Sequence, residues 1–423
     1  MAKKKHLIIG AGTAGLTAAE AIRRISREDD IKIVSAEDFD PYSPTVLPYL
    51  ISGKISEGAL AMRKKDYFDK LRATFVKDKE VVQILPETKE VVYKGSDREG
   101  YDTLLLAAGA DASSPEIRGL DRNERQGIHT LNDCRQLIDQ LEDKKEVAIL
   151  GAGLVAIEVA IGLVEKGCRV TLIVRSRILR VYFDEDADSI IKDILTSNGI
   201  TLRYSKGIAA VHRQDGKVQI TPTDGAPLTA DIFLVCTGVT ARTGFLDGSG
   251  ITVNHGIVVN RMMETSITDI YAAGDIAEAP DFFAGEYGMN QIIETAMDGG
   301  RVAGSNMAGV PAEYEGWVSS NVFNFFKNTS FTAGIATSTG EGYEIMAEKD
   351  VKKARYKKLV FKDNRLVGAM FINEPVDPGV LLSLMRNRVD VAEHKKQLFE
   401  KPQEVGRWLM LLTEEQARAS IKG

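Results

Sequence analysis

Apolar residues repeat at helical spacing in two stretches of the chain, and each stretch lies between two short apolar runs. In HLIIGAGTAGLTAAEAIRRI, from residue 6, the repeating positions are Leu16, Ala19, Ile22 and Ile25. In VAILGAGLVAIEVAIGLVEKG, from residue 147, they are Ile157, Ala160, Ile161 and Val164. A second apolar run follows each helix pattern, IKIVSAE from residue 31 and RVTLIVR from residue 169. The pattern therefore predicts two βαβ units.

Glycines occupy the turn between strand and helix in the first unit. Gly10 permits a tight turn, Gly12 lets the backbone approach a pyrophosphate, and Gly15 lets the helix lie close to the strand. The free N–H groups at the start of the helix favour an anion. Glu37 ends the second strand, where its carboxylate can accept hydrogen bonds from ribose hydroxyls; the alternative is a surface acid in a turn. This context predicts a dinucleotide site.

The second unit repeats the motif with one change. Gly151 and Gly153 keep the first two roles, and Ala156 takes the third. Val174 stands where a ribose-binding acid would be expected, and Arg175 and Arg177 follow it. An arginine here can bind a 2′-phosphate and so indicates NADP, whereas the alternative is two solvated arginines on a turn. Two motifs in one chain predict two bound dinucleotides.

A third segment, TSITDIYAAGDIAEAP from residue 265, predicts the end of a buried strand at Tyr271 to Gly274, with Asp275 next. With LLLAAGA from residue 104 and FLVCTG from residue 233, these motifs resemble the FAD-dependent pyridine nucleotide–disulfide oxidoreductase superfamily. The resemblance covers residues 1 to about 310 in the expected order.

The resemblance implies an α/β fold with two Rossmann-like dinucleotide-binding domains, for FAD and NAD(P), and a small C-terminal α+β interface domain. The FAD domain would be discontinuous, residues 1–112 and 243–312, with the NAD(P) domain inserted at 113–242. The interface domain would span 313–423, where YKKLVFKDNRLVGAMFIN predicts two strands around an Asp-Asn turn.

The resemblance also implies a set of cofactor-binding residues. In it, Ala107 and Gly109 bring backbone close to the flavin, and Asp275 holds the ribityl hydroxyls. Glu158 matches a family glutamate near the nicotinamide; the alternative is an ordinary helix ion pair. The full set is Gly10, Gly12, Ala14, Gly15, Glu37, Thr45, Val82, Ala107, Ala108, Gly109, Gly151, Gly153, Ala156, Arg175, Gly238, Gly274 and Asp275.

Three prolines in PYSPTVLPYL, residues 41–50, predict a stiff, extended segment that is neither helix interior nor central strand. Disulfide- and peroxide-reducing members of the superfamily carry a cysteine just before the LPY sequence, where this chain has Thr45. The Lys or Arg that ferredoxin and rubredoxin reductases carry near Pro44 is missing too. We therefore expect no redox cysteine, a proline wall beside the flavin, and direct electron transfer to an outside carrier.

The segment AEDFDPYSPTVLPYLISGK and the chain length resemble the NADH-linked flavoprotein subunits of phenylglyoxylate dehydrogenases, which are multi-subunit, CoA-acylating 2-oxoacid oxidoreductases. This implies FAD and NAD(H) as cofactors, with NADP(H) left open by Arg175. The implied partners are iron–sulfur electron-transfer subunits and thiamine-diphosphate subunits. One alternative is a stand-alone ferredoxin or rubredoxin reductase; another is a non-catalytic flavin-binding scaffold.

Composition excludes some classes of partner. The 423 residues carry a net charge of −6, so electrostatics give no reason to expect nucleic-acid binding. The chain has no run of 18 apolar residues, so no membrane span is expected. Cys134, Cys168 and Cys236 are far apart, so neither a redox disulfide nor a metal site is expected, and a reducing cytoplasm fits. Late basic residues predict a docking face for an acidic iron–sulfur partner, with a solvated surface as the alternative: Lys352, Lys353, Arg355, Lys357, Lys358, Arg386, Arg388, Lys395 and Lys396.

Overall fold

The computed structural model of the chain describes residues 3–113, 115–120, 127–141 and 145–422. Its helices are α1 Thr13–Ile25, α2 Leu47–Ser52, α3 Tyr67–Leu71, α4 Leu131–Gln140, α5 Leu154–Glu165, α6 Glu185–Ser197, α7 Ile293–Met307, α8 Pro378–Arg386, α9 Lys395–Glu400 and α10 Pro402–Lys422. Its strands are β1 Lys5–Ile9, β2 Asp30–Val34, β3 Ala73–Val76, β4 Val81–Leu85, β5 Glu90–Tyr93, β6 Arg98–Gly100, β7 Thr103–Leu106, β8 Ala110–Ala112, β9 Glu146–Leu150, β10 Arg169–Val174, β11 Ile200–Tyr204, β12 Ile208–Gln214, β13 Lys217–Pro222, β14 Leu228–Ala230, β15 Ile232–Val235, β16 Val239–Ala241, β17 Ile257–Val258, β18 Ile270–Ala272, β19 Ala277–Pro280, β20 Tyr287–Gly288, β21 Ser320–Phe325, β22 Asn328–Gly334, β23 Glu344–Asp350, β24 Arg355–Lys362 and β25 Arg365–Ile372.

The described residues form two compact units. Unit 1 takes those within Met1–Ser113, His129–Leu131 and Val239–Val318. Its centre is a five-stranded parallel sheet in the order β18-β7-β1-β2-β3. Helix α1 connects β1 to β2, so the first βαβ unit is confirmed. Strand β18 ends at Ala272, as the YAAGD segment predicted.

Two glycines in α7 set how closely that helix lies on α1. A Cβ at Gly300 would overlap the carbonyl oxygen of Ala14, and one at Gly304 would overlap that of Ala18. Since only glycine permits this approach, α7 packs directly on the backbone of α1. The packing brings the N-termini of both helices to the same side of unit 1, where each contributes residues to one cavity.

Unit 2 takes the described residues within Ser114–Ile128, Asn132–Gly238 and Ser319–Gly423. Its parallel sheet has the order β11-β10-β9-β15, and α5 connects β9 to β10, which confirms the second βαβ unit. A small antiparallel sheet, β12-β13-β14, follows in the chain. Both parallel sheets contain the same arrangement of strand, glycine turn, helix and parallel strand, as the two copies of the glycine motif predicted.

The C-terminal part of unit 2 is a five-stranded antiparallel sheet in the order β21-β22-β25-β24-β23. Strands β24 and β25 pair around Asp363 and Asn364, whose φ angles of 48° and 60° suit a tight hairpin turn, so the two predicted strands are confirmed. This sheet also contacts α6, and the ring centroid of Phe183, just before α6, lies 6.0 Å from that of Phe325 on β21. The contacts thus place residues from 319 onward in one unit with the second βαβ unit, while the three-domain division stays a prediction.

The proline segment differs from the expectation. Pro44–Val46 form one turn of 3-10 helix that leads into α2, so the prediction of an extended segment is wrong for these residues. Pro48 lies in the first turn of α2, where a missing N–H breaks no intrahelical bond and the fixed φ suits a helix. The prolines therefore start two short helices, which still places them outside a helix interior.

Candidate functional site

A cavity of about 980 Å³ opens in unit 1 at the carboxyl ends of β1, β2, β7 and β18. This is the edge at which open parallel sheets bind ligands, and the volume lies at the upper end of the usual ~300–1,000 Å³ for ligand pockets. Eleven of the residues predicted from the sequence line it: Gly10, Gly12, Ala14, Glu37, Thr45, Val82, Ala107, Ala108, Gly109, Gly274 and Asp275.

The glycine turn after β1 shapes one end of the cavity. Gly10 has φ +107°, and a Cβ there would overlap the carbonyl oxygen of Ala107. A Cβ at Gly15 would overlap the carbonyl oxygen of Gly10, so Gly15 lies beneath the turn and does not line the cavity. Gly12 caps α1, where no side chain of the described residues forms a capping hydrogen bond, and a Cβ at Gly12 would point into open space. The turn is built as a cradle for an anion.

Two carboxylates face the cavity, and they differ in their hydrogen-bond partners. Glu37 accepts a hydrogen bond from the Tyr42 hydroxyl at 3.0 Å. Asp275 receives no side-chain hydrogen bond from any described residue; Gln291 donates only to its backbone oxygen, at 3.3 Å. Burial raises the pKa of the Asp275 carboxyl, and nearby His129 partly opposes that rise. A ligand hydroxyl at Asp275 would therefore meet an acceptor with no competing donor.

Several lining residues were missed by the sequence analysis. The Arg242 guanidinium lies in the wall, paired with Asp111 at 2.9 Å from Nε, and donates to the backbone oxygen of Ala108 at 3.4 Å. The ring of His129 lies 2.7 Å from the backbone oxygen of Ala110. Arg242 follows the FLVCTG motif by a few residues, so that motif could have indicated it. His129 stands in a stretch without a motif, so no signal in the sequence pointed to it. Other missed lining residues are Ser35, Tyr42, Lys79, Thr130, Phe245, Gln291 and Ile293.

Unit 2 repeats the turn geometry at the second glycine motif. Gly151 has φ +127°, and a Cβ there would overlap the carbonyl oxygen of Cys236, just as at the first turn. Gly153 caps α5 without a side-chain bond and faces open space. Ala156 is buried behind the turn, and Gly238 has φ +116° at the end of the neighbouring segment. Unit 2 thus carries a second anion cradle.

Three ionisable residues stand near this second turn in the chain. Arg175 directly follows β10, is exposed, and makes no hydrogen bond or ion pair with any residue the structure describes. Arg177 is held by Glu185 at 3.7 Å and by the backbone oxygen of Arg180 at 3.3 Å. Glu158, on α5, has no partner in the described part of the chain, so the ion pair considered as an alternative does not form. Burial raises its pKa to about 7.

Comparison with known proteins identifies the family. Residues 4–301 match the pyridine nucleotide–disulphide oxidoreductase family. The chain belongs to this family. Residues 320–389 match the C-terminal domain of rubredoxin NAD⁺ reductases. Members of the family bind FAD and NAD(P)H, so the chain is an electron-transferring oxidoreductase that uses these cofactors.

Individual relatives span almost the whole chain. The NADH-dependent phenylglyoxylate dehydrogenase subunit epsilon of Aromatoleum evansii is 33% identical over 413 residues, 97% of this chain and 98% of the relative. The NADH-rubredoxin oxidoreductase of Clostridium acetobutylicum is 28% identical, over 74% of this chain and 77% of its own. A crystal structure of a covalent putidaredoxin reductase–putidaredoxin complex matches with TM-score 0.87 and 20% identity, over 98% of this chain and 100% of that one. That last likeness shows the fold.

The cavity of this oxidoreductase fits FAD on three observations. The glycine cradle leaves space in front of Gly12 for a pyrophosphate. Glu37 and Asp275 provide acceptors for two sets of hydroxyls, and the Asp275 carboxylate lacks a donor among the described residues. The volume suits a ligand of dinucleotide size.

The three cysteines of the chain are buried or partly buried. Burial raises the pKa of Cys134 and of Cys236 to about 12 each, and Cys168 is buried as well. No cysteine is among the described residues that line the cavity, where Thr45 holds the predicted position and its hydroxyl lies 2.8 Å from that of Ser43. At Cys134 and Cys236 the thiolate, which is the reactive form, is therefore scarce at neutral pH.

Within the described residues, no group of three or more His, Cys, Asp or Glu could hold a metal ion. In that same part of the chain, no helix combines the length and the apolar character needed to cross a membrane.

The predicted basic face is wrong in its main feature, free positive charge. Lys358 is only 3% exposed and bonds Asp184 at 3.0 Å. Other cations of the predicted face also have carboxylate partners: on β24, Arg355 with Glu374 at 2.6 Å and Lys357 with Glu348 at 3.2 Å, and on α9, Lys395 with Glu344 at 2.5 Å. Most of the positive charge seen in the sequence is thus neutralised in the fold.

Proposed function

We propose that this flavoprotein exchanges electrons between NAD(H) and an iron–sulfur partner, as the NADH-linked subunit of a CoA-acylating 2-oxoacid dehydrogenase complex of the phenylglyoxylate type. The observation that carries the proposal is the cavity wall, which has Thr45 where thiol-dependent relatives have a cysteine. Without a thiol in the wall, electrons leave the flavin for an outside acceptor rather than for a disulfide.

In this proposal FAD occupies the cavity of unit 1. Gly10, Gly12 and Ala14 hold the pyrophosphate, Glu37 accepts from the adenosine ribose, and Asp275 accepts from the ribityl hydroxyls. The remaining predicted contacts are backbone at Ala107, Ala108 and Gly109, and the walls at Thr45, Val82 and Gly274. Bound FAD would supply the capacity to accept a hydride from the nicotinamide and to pass single electrons to an iron–sulfur acceptor. The FAD domain is proposed to comprise residues 1–112 and 243–312, and the nicotinamide domain 113–242.

Unit 2 supplies the nicotinamide site, with the pyrophosphate at Gly151 and Gly153 and with Glu158 close to the nicotinamide. We infer NAD(H) as the dinucleotide because the relative that matches almost the whole chain is NADH-dependent. Exposed Arg175 is the feature that favours NADP(H) instead, since a free guanidinium can bind a 2′-phosphate. The predicted Ala156 and Gly238 shape the turn around the second cradle.

The partners follow from the same relative. It is a subunit of a phenylglyoxylate dehydrogenase, and the similarity extends over 98% of its length. We therefore propose iron–sulfur subunits as the electron partners and thiamine-diphosphate subunits as the site of 2-oxoacid oxidation. A stand-alone ferredoxin or rubredoxin reductase is the second candidate, favoured by the match of residues 320–389 to a rubredoxin reductase C-terminal domain.

The decisive experiment is affinity purification of the tagged protein from its native cells, followed by mass spectrometry and cofactor analysis. We expect FAD in the isolated protein, and co-purifying subunits that contain iron–sulfur clusters and thiamine diphosphate. Recovery of the flavoprotein alone, with rapid NADH-dependent reduction of free rubredoxin or ferredoxin, would select the second candidate. A flavin that neither NADH nor NADPH reduces would indicate a non-catalytic scaffold.

A further inference from the structure

A chain of hydrogen bonds through Tyr42 connects two distant segments of unit 1. The Tyr42 hydroxyl donates to Glu37 Oε1 at 3.0 Å and accepts from the backbone N–H of Leu131, also at 3.0 Å. Tyr42 is 8% exposed and lines the cavity next to Glu37.

The chemistry of the three groups fixes the direction of this chain. An amide N–H can only donate, so the hydroxyl oxygen of Tyr42 must be the acceptor toward Leu131. The hydroxyl has one proton, and an ionised carboxylate can only accept, so that proton points at Glu37. Each bond polarises the next, which strengthens the pair. Tyr42 therefore holds the Glu37 side chain in one orientation.

Both ends of the chain are themselves fixed. Leu131 is the first residue of α4, where an N–H has no acceptor within the helix, and Tyr42 satisfies it. The backbone N–H of Glu37 bonds the Ser35 hydroxyl at 3.2 Å, and the backbone oxygen of Glu37 accepts from Asp78 at 3.1 Å. With Oε1 held by Tyr42, Glu37 Oε2 has no hydrogen-bond partner among the described residues and is left for a ligand.

We propose that Tyr42 is a positioning residue that orients the Glu37 carboxylate to accept from the hydroxyls of the adenosine ribose of FAD. The inference rests on the proposed binding of FAD in this cavity. A pre-oriented carboxylate loses little side-chain freedom when the ribose binds. Replacing Tyr42 by Phe keeps the ring but frees the carboxylate, and we expect FAD to bind about tenfold more weakly.

The test measures ribose recognition by the apoprotein separately from its stability. Affinities are measured for FAD and, by competition, for ADP and 2′,3′-dideoxy-ADP, which differ only in the ribose hydroxyls. Wild-type protein should prefer ADP. Y42F should lose most of that preference, and adding Y42F to E37Q should cause little further loss. Y67F is the matched control, because Tyr67 donates to Glu20 at 2.8 Å in the same unit but away from the cavity; its preference should equal that of wild type.

The outcomes separate this inference from the proposed function. A Y42F protein that binds FAD like wild type, or that loses ADP and dideoxy-ADP affinity equally, overturns the positioning role, because the second result reflects only the lost helix cap. A wild-type apoprotein that binds no FAD overturns the proposed function as well. If Y42F does not fold, E37D is used instead; its carboxylate is one methylene shorter and lies out of reach of the Tyr42 hydroxyl, so an ADP preference equal to that of wild type would overturn the inference.

Discussion

Asp275 offers the most direct test of how the cavity holds its cofactor. Replacing it by alanine removes a half-buried carboxylate that no described side chain hydrogen-bonds, so the loss falls on the ligand contact and not on an internal one. A hydrogen bond to a charged group contributes about 1.5–3 kcal/mol, so FAD affinity should fall about 10- to 150-fold. D275N, which keeps the shape and one acceptor oxygen, should lose less.

The pH dependence gives a second, independent readout. Burial raises the pKa of Asp275 in the free protein, and hydroxyl donors from FAD would stabilise the carboxylate and lower that pKa on binding. FAD should therefore bind with loss of a proton, and its affinity should rise with pH from the ordinary aspartate pKa of about 3.9 through the raised pKa of the free protein. D275A and D275N should show no such rise.

The assay is titration of the apoprotein with FAD, followed by quenching of flavin fluorescence across a series of pH values. D298N is the control, since Asp298 lies on α7 without lining the cavity and pairs with Arg301 at 2.9 Å. The reasoning fails if D275A binds FAD as tightly as wild type, or if D275N keeps the pH dependence, because either result would mean that the carboxylate does not meet the ribityl hydroxyls.

Four further predictions concern the thiols, the dinucleotide preference, the stability and the partner. Alkylation of all accessible thiols should leave flavin reduction by NADH nearly unchanged, because the cavity wall has Thr45; a loss that tracks one modified cysteine would contradict this. R175A should barely change the KM for NADH but raise that for NADPH; a reversal of preference from NADPH to NADH would show that NADP(H) is the natural substrate. Since burial raises the pKa of Glu158 to about 7, wild type should lose stability as pH rises from about 4 to 7 and E158Q should not, as thermal melting will measure. Electron transfer to the partner should respond little to salt, because cations such as Arg355 are already paired; strong slowing in stopped-flow traces as salt rises would restore the basic face.

The parts of the fold that the sequence predicted are those fixed by local pattern. Helical spacing, a glycine turn and an apolar strand lie within about thirty residues of each other in a βαβ unit, so β1-α1-β2 and β9-α5-β10 could be read directly. The Asp-Asn turn between β24 and β25 is likewise local, since both residues adopt the positive φ that a tight hairpin needs.

The parts that escaped prediction depend on contacts between distant segments. Tyr42 hydrogen-bonds Leu131, which lies 89 positions later in the sequence. Gly300 packs on Ala14, although the two lie in the last and first segments of unit 1. No short window of sequence contains either pair. Helix α2 has six residues, Leu47–Ser52, which are too few to show a helical repeat. Its proline is as typical of an extended segment as of the first turn of a helix. Local pattern therefore fixes the elements, whereas tertiary contacts complete the walls of the site.

The prediction of a basic face failed for the same reason, because contacts between separate segments neutralise most of its cations. In an antiparallel pair, residues directly opposite share a face, and the register of β23 on β24 sets Glu348 opposite Lys357. Lys358 points to the other side of β24, where Asp184 both caps α6 and accepts from Lys358. Alternation along the strand thus sends consecutive lysines to two different carboxylates, one on the surface and one buried. Consecutive basic residues in a strand lie alternately on its two faces, and the charge on each face is neutralised or solvated separately. The number of basic residues in a strand therefore says little about the electrostatic potential outside it.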